Sequence, residues 1–305
     1  MKAWATSVSL MMISTGGCAT NEDPPVVTGE HHQYVVSELR IPRDNNEARA
    51  NSLDLNNDKT VDNQLGMVFG TLDSMGLGVG ETATEALLRG GLVMLADLQT
   101  ENFELTEASG FETWLGDVND PSACLDPARL ETCGQHLRGT GRFSVDEDSA
   151  SHQISGPIVD GVFLQKAVFL PVELVLDAGR PLRVDLRGAR VKLTQISETK
   201  ISAVFAGGLT KLDLERVVYP EAAANCDRIV QNECMQASSE ECGCLPGSRA
   251  RTLQSLFDDN HDCRITTHEV ATNTLVQALL APDLRIDGQD LVSFGVGVEL
   301  VPASF

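Results

Sequence analysis

Between Val172 and Leu186 apolar side chains recur at every second position. Val172, Leu174 and Leu176 are followed by Asp177-Ala178-Gly179-Arg180 and then by Leu182, Val184 and Leu186. A period of two sets one face of a strand against a core, and Gly179 can take the positive φ of a tight turn, so the segment predicts a β-hairpin. The alternation continues through Val191 and Leu193, then through Ile196, Ile201, Ala203 and Phe205 around a turn at Ser197 to Lys200. It returns near the C-terminus in Val292, Phe294, Val296, Val298 and Leu300. From Gly91 to Leu209 the chain reads mainly as strand, after a first strand at Tyr34 to Ile41. Such a run predicts an antiparallel β-rich sandwich or a partly closed barrel. The last strand is expected to join the main sheet, where Gly295 and Gly297 on its other face permit close approach of another backbone.

Helical spacing occupies the rest. It runs over Asn63 to Met75 (through Leu65, Val68, Phe69 and Leu72) and over Glu81 to Arg89, with Gly76, Gly78 and Gly80 between. Lys211 to Asn232 reads as helix interrupted by Pro220, and Arg249 to Phe257 and Thr267 to Ala281 also read as helix. The expected class is α+β. A chain of 305 residues can hold one large or two modest domains. Because the final strand is expected in the main sheet, residues 34–305 are read as a single integrated domain.

The net charge is −21, which sets the protein against phosphate backbones and argues for no nucleic-acid partner. The hydrophobic fraction of 42% indicates a folded chain, and aromatics at 5% argue against stacking platforms for bases or sugars.

The strongest local signal is Leu256-Phe257-Asp258-Asp259-Asn260-His261-Asp262-Cys263-Arg264-Ile265-Thr266-Thr267-His268-Glu269-Val270. Asp258, Asn260 and Asp262 alternate, and Glu269 closes a stretch of twelve residues. Leu253, Leu256 and Phe257 form an entering apolar stripe, and Val270, Val276, Leu279 and Leu280 form an exiting one. This run resembles the EF-hand loop. The resemblance implies Ca²⁺ as cofactor, with side-chain ligands at Asp258, Asn260 and Asp262, the carbonyl of Arg264, Thr266 through water, and a bidentate Glu269. Ile265 stands where the family anchors the loop. Cys263 departs from the pattern at position 6, where the family has Gly for a positive φ; a non-Gly residue there costs roughly 1 kcal/mol.

A second run, Asp54, Asn56, Asp58, Thr60 and Asp62, is spaced as positions 1, 3, 5, 7 and 9 of a similar loop. It resembles the Asp-rich calcium loops of dockerins and thrombospondin type 3 repeats, with Lys59 in place of Gly. Leu65 occupies position 12, so a carboxylate from elsewhere would have to complete a shell. Without a metal, the same run would form an Asx-turn loop before a helix.

The N-terminus reads as an export signal over 1–17. Lys2 precedes an apolar stretch, Ala3 to Ile13, too short to span a bilayer. Thr15-Gly16-Gly17-Cys18 resembles the bacterial lipobox, which implies lipidation of Cys18; Thr15 stands where the family usually has Leu. Ala19 takes the place of the Asp that signals retention at the inner membrane. The resemblance therefore implies an exported protein, lipid-anchored in the outer membrane or on the cell surface. Residues 18–33 read as a tether, with His31 and His32 facing solvent. The lipobox and both Asp-rich runs together resemble predicted lipoproteins of Gram-negative bacteria, a resemblance that brings no activity with it.

Export permits disulfides among the eight cysteines. With Cys18 lipidated, seven remain and one is unpaired. Cys124 and Cys133 bracket a short polar loop and form the natural local pair. Cys226, Cys234, Cys242, Cys244 and Cys263 are also disulfide candidates, with no connectivity assigned. The competing reading is zinc held by Cys242 and Cys244 with His261 or Cys263.

No nucleophile elbow, phosphate loop or HExxH is present, and His136 and His152 are read as surface residues, so the chain is not read as an enzyme. The expected function is that of a calcium-binding, membrane-anchored lipoprotein with a structural or interaction role and a possible protein partner. The alternative is a periplasmic carrier for lipid or another apolar ligand, for which Val162, Phe163, Val168 and Phe169 would line a cavity.

Overall fold

Strands with one apolar face must bury it, and here they do so by closing on themselves. The computed structural model describes residues 26–74, 78–149, 153–175, 181–234 and 242–305. Residues 1–17, expected to be an export signal, lie outside these residues, as do Cys18, His152 and the expected Asp177–Arg180 turn. The strands are β1 (Glu30–Arg40), β2 (Met94–Thr100), β3 (Thr106–Asp120), β4 (Gly141–Val145), β5 (Ile154–Val159), β6 (Val162–Leu174), β7 (Leu182–Ser197), β8 (Lys200–Leu209), β9 (Leu284–Ile286) and β10 (Gln289–Ser304). Eight of them form a closed antiparallel circuit, β1-β2-β3-β5-β6-β7-β8-β10 and back to β1. The expectation of a sandwich or partly closed barrel is corrected to a fully closed barrel. Closure satisfies the edge N–H and C=O groups that an open sheet would leave unpaired.

The predicted hairpins set the register. Val172 lies opposite Val184, and Leu170 opposite Leu186. Ser197 lies opposite Lys200 in the next turn. β10 pairs β8 on one side, with Val296 opposite Phe205, and β1 on the other, with Leu300 opposite Val36. β1 starts at Glu30, so the last four residues assigned to the tether belong to the wall. Within them His31 Nδ1 lies 2.6 Å from Asp97 Oδ2. His32 is half-buried, with its ring 4.7 Å from that of Phe103.

The lumen is filled. Phe111 lies 6.3 Å from Phe163 and 6.1 Å from Phe205, all three fully buried, with Val191, Leu193, Ile201, Val298 and Leu300 in the same core. Phe163 belongs to this packing and Val168 faces solvent at 82% exposure, so the four residues named for a carrier do not share an inner wall. A void of about 20 Å³ lies at one end, among Phe69, Met94, Val172 and Phe294. That is room for about one water molecule and far too little for a lipid or another apolar ligand.

Helices α1 (Asn45–Ala50), α2 (Gln64–Ser74) and α3 (Val79–Leu88) cover that end. Leu65, Val68 and Phe69 of α2 and Val79, Ala83 and Leu87 of α3 enter the barrel core, and the Phe69 ring meets Phe294 edge-on at 5.8 Å. The glycines of β10 do what their small size predicts. A Cβ at Gly295 would lie 2.1 Å from Ser52 Oγ, and one at Gly297 would lie 2.4 Å from Asn51 Oδ1. Asn63 then staples the segment, accepting from Gly295 N and donating to Gly295 O and Ala48 O.

After β8 the chain is helical from Lys211 to Glu233. It passes from α4 (Lys211–Asp213) through a π-wound stretch, Leu214–Val218, into α5 (Tyr219–Glu233). Pro220 was expected to interrupt this helix. The helix continues through it, and the change of winding from π to α falls at Val218–Tyr219, just before the proline that lacks an N–H. α6 (Arg249–Phe257) matches its expected bounds. The expected Thr267–Ala281 helix is broken at Asn273 into α7 (Thr267–Thr272) and α8 (Thr274–Leu279). Asn273 takes an extended conformation, its Oδ1 accepts from Leu275 N and Val276 N, and it thereby begins a second helix. Ala223, Ile229, Val230, Leu253, Phe257, Ile265 and Val270 form a second, smaller core here with Cys234, Cys242 and Cys244. Tyr219, Ala222 and Val276 touch both cores. No helix of the described residues is long and apolar enough to cross a membrane.

Candidate metal centre

The Asp258 loop begins where α6 ends. Asp258 caps that helix and is buried. Its Oδ1 accepts from Asp262 N at 3.0 Å and its Oδ2 from Cys263 N at 3.1 Å and Gln254 Nε2 at 3.3 Å. Asn260 Oδ1 accepts from Asp262 N, and Asp262 Oδ1 from Arg264 N, both at 2.9 Å. To make these bonds the backbone turns left-handed at His261 (φ 57°) and again at Cys263 (φ 66°). The positive φ expected at position 6 is therefore present, on a residue that does not favour it.

The Asp54 loop repeats this pattern. Asp54 Oδ2 accepts from Lys59 N at 3.0 Å, Asn56 Oδ1 from Asp58 N at 2.9 Å, and Asp58 Oδ1 from Thr60 N at 2.7 Å. Asn57 and Lys59 have φ 66° and 72°, at the positions of His261 and Cys263. In both loops the Asn at position 3 donates through Nδ2 to the Asp at position 5, at 3.2 and 3.1 Å. Two segments remote in sequence thus share one hydrogen-bonded turn, set by the same Asp-x-Asn-x-Asp spacing.

The loops differ beyond position 6. In the Asp54 loop, Asp62 folds back to accept from Leu55 N at 2.7 Å, and burial raises its carboxyl above the usual carboxylate range. Arg190 of β7 reaches the same loop, donating to Asn57 Oδ1 at 2.6 Å and Leu55 O at 3.2 Å. In the Asp258 loop, Ile265 is buried in the second core, and Arg264 pairs with Asp227 of α5 at 2.8 Å. Thr266 caps α7, and Glu269 Oε2 accepts from Thr266 N at 2.9 Å and Thr266 Oγ1 at 2.8 Å. Glu269 is 6% exposed, and its second oxygen, Oε1, is buried without a hydrogen-bond partner. A buried polar atom left unpaired costs about 1–3 kcal/mol, more when charged.

Asp258, Asp262 and Glu269 do not form a set of ligand atoms within 4.8 Å of one another; among the described residues that closeness is reached by Cys242, Asp258 and Cys263. The two sulfurs of that group are bonded to each other, which removes the thiolates a soft metal needs. Cys234 is bonded to Cys244 and Cys124 to Cys133. The zinc alternative is thereby replaced by disulfides, and the expected local pair is present. Among the described residues Cys226 is the unpaired cysteine, and burial foremost, with Asp227 beside it, pushes its thiol up to about 12.

Sequence reasoning missed the supports of these loops. Asp227, Gln231 and Arg190 act from distant elements, and no local pattern marks them. Gln254 could have been read, being four residues before Asp258 on the same helix face. His136 is corrected from surface to interior: it is fully buried beside Phe143, and burial lowers its pKa against a partial offset from the Leu87 backbone. Compared with known proteins, the chain matches no family model, no curated protein and no solved structure.

Proposed function

We propose that the protein is an exported, lipid-anchored calcium-binding protein. In this reading Ca²⁺ held by Asp258, Asn260, Asp262, the Arg264 carbonyl, Thr266 and Glu269 fastens the disulfide-bonded helices, in an EF-hand-like arrangement, as a structural or docking unit on the barrel. The observation that carries it is the orphaned Oε1 of Glu269, a buried carboxylate oxygen at the position where such a loop needs its bidentate ligand. Releasing Oε2 from the cap of α7 would free both oxygens for an ion. The shared left-handed turn supports a second site at Asp54, Asn56, Asp58, Thr60 and Asp62. The carrier alternative finds no support in the filled lumen.

Binding to the folded state alone stabilises it by about 2.7 kcal/mol when free calcium is a hundredfold above the dissociation constant. Calorimetric titration of chelator-treated protein tests the reading. Wild type should take up near two calcium ions per chain, and Glu269→Ala near one, with the calcium-dependent rise in Tm reduced. Identical titrations would make Asp258 to Glu269 a helix-capping loop and nothing more.

A further inference from the structure

We infer that the Cys242–Cys263 disulfide makes calcium affinity at the Asp258 loop redox-dependent; the inference rests on the calcium reading above and concerns the regulation of that site. Cys263 occupies the left-handed position of the loop, φ 66°. Its N–H is spent on Asp258 Oδ2 at 3.1 Å, and its carbonyl accepts from Gln231 Nε2 at 2.6 Å. Its side chain is tied to Cys242, which is fully buried and itself left-handed at φ 53°. Cys242 Sγ lies 3.7 Å from the same Asp258 Oδ2. The hydrogen-bonded spacing sets the turn, and the disulfide ties it down covalently and holds the surroundings of the first-position carboxylate.

The redox step is a simple exchange. A dithiol reductant gives two electrons and two protons; the S–S bond breaks, Cys242 and Cys263 become thiols, and the dithiol becomes its own disulfide. Cys263 is half-buried, which leaves its sulfur the accessible end for attack. Once released, Cys263 is free to leave the left-handed region, and its N–H leaves Asp258 with it. Calcium prefers oxygen ligands and gains nothing from the two thiols. Affinity at this loop falls about tenfold, equivalent to about 1.4 kcal/mol. The Asp54 loop makes the same turn with Lys59 at position 6 and has no cysteine, so its affinity is insensitive to the same treatment.

Two double variants separate the bond from the turn. Cys242→Ser with Cys263→Ser removes the disulfide and keeps a side chain that disfavours positive φ; calcium at this loop should weaken about tenfold. Cys242→Ser with Cys263→Gly also removes the disulfide but makes the turn favourable; affinity should recover most of the way. Equal affinity for wild type and the serine pair, in proteins with the same circular dichroism, overturns the inference. Should the serine pair not fold, wild type is titrated after mild dithiol treatment, with peptide mapping of alkylated Cys242 and Cys263 showing that the bond has opened. Unchanged calcium affinity in that material overturns the inference equally. If oxidised wild type and Glu269→Ala titrate alike, the calcium reading itself has failed, which is a different result.

Discussion

Glu269 is a helix cap with one buried oxygen left over. Its Oε2 completes the capping box of α7 with Thr266, and its Oε1 is buried without a partner. A pure cap would leave that second oxygen in water, where it costs nothing. Glu173 carries a comparable burden without any such role. It lies opposite Arg183 in the β6–β7 register, 3.9 Å from its Nε, while Arg183 gives its other arm to Asp146. Burial pushes the Glu173 carboxyl up to about 7, against the partial offset of Arg183 and the Val93 backbone. Its folded pKa is therefore above its unfolded value. The folded state binds more protons between about pH 4.5 and about pH 7, so this group's contribution is fully present below that window and is lost as pH rises through it. The loss is on the order of 3 kcal/mol if the whole shift is expressed. Glu173→Gln should flatten this slope and raise stability at neutral pH, read from urea midpoints at pH 5 and pH 7.5. A variant whose midpoints keep the wild-type difference would place the slope on another group.

Among the elements, the Asp54 loop depends on a strand that follows it by more than two hundred residues. Ser52 Oγ and Asn51 O would lie 2.1 and 2.8 Å from a Cβ on Gly295, and Asn63 bonds to that glycine's N–H and C=O. Gly295→Ala should therefore cost about 1–3 kcal/mol through overpacking, seen as a lower urea midpoint at unchanged slope. An unchanged midpoint would mean that the 51–52 backbone shifts freely and that the loop is not held against β10. The close approach was legible in the sequence because a glycine pair in a strictly alternating strand has few other uses. The hairpins β6–β7 and β7–β8 were legible for the same reason: period two and turn chemistry agree there. Closure was not, since it depends on β1 pairing β10 across nearly the whole chain. The break at Asn273 was hidden because Val270, Val276, Leu279 and Leu280 keep an apolar stripe across it, and the capping signal of Asn273-Thr274 is weaker than the stripe. In the two Asp-rich loops the spacing foretold a turn, and the resemblance implied the positive φ found at Cys263, while Asp227, Gln231 and Arg190 come from tertiary structure and left no local sign.

At the scale of the whole molecule, two cores of unequal strength share one chain. The barrel is closed by a continuous backbone ladder around a filled lumen, so no strand opens without breaking two neighbours. The helical unit has no such ladder. α7 and α8 have six residues each, far below the length at which a helix holds in water alone. The unit rests on its small core, two disulfides and the Arg264–Asp227 pair, and an apolar cleft of about 110 Å³ separates it in part from α2. An ion bound at Asp258 to Glu269 would therefore add its free energy to the opening of this unit and not to that of the barrel. Hydrogen exchange followed by mass spectrometry, with calcium and after chelation, on an Asp54→Ala, Asp58→Ala variant that leaves only the Asp258 loop to bind, distinguishes the two. Peptides covering 249–279 should lose protection by up to about a hundredfold on chelation, the equivalent of about 2.7 kcal/mol. Peptides from β6, β7, β8 and β10 should exchange at the same rate in both conditions. Equal loss throughout would show that the barrel and the helices open as one cooperative body, and protection unchanged in 249–279 would show that the helices stand without the ion.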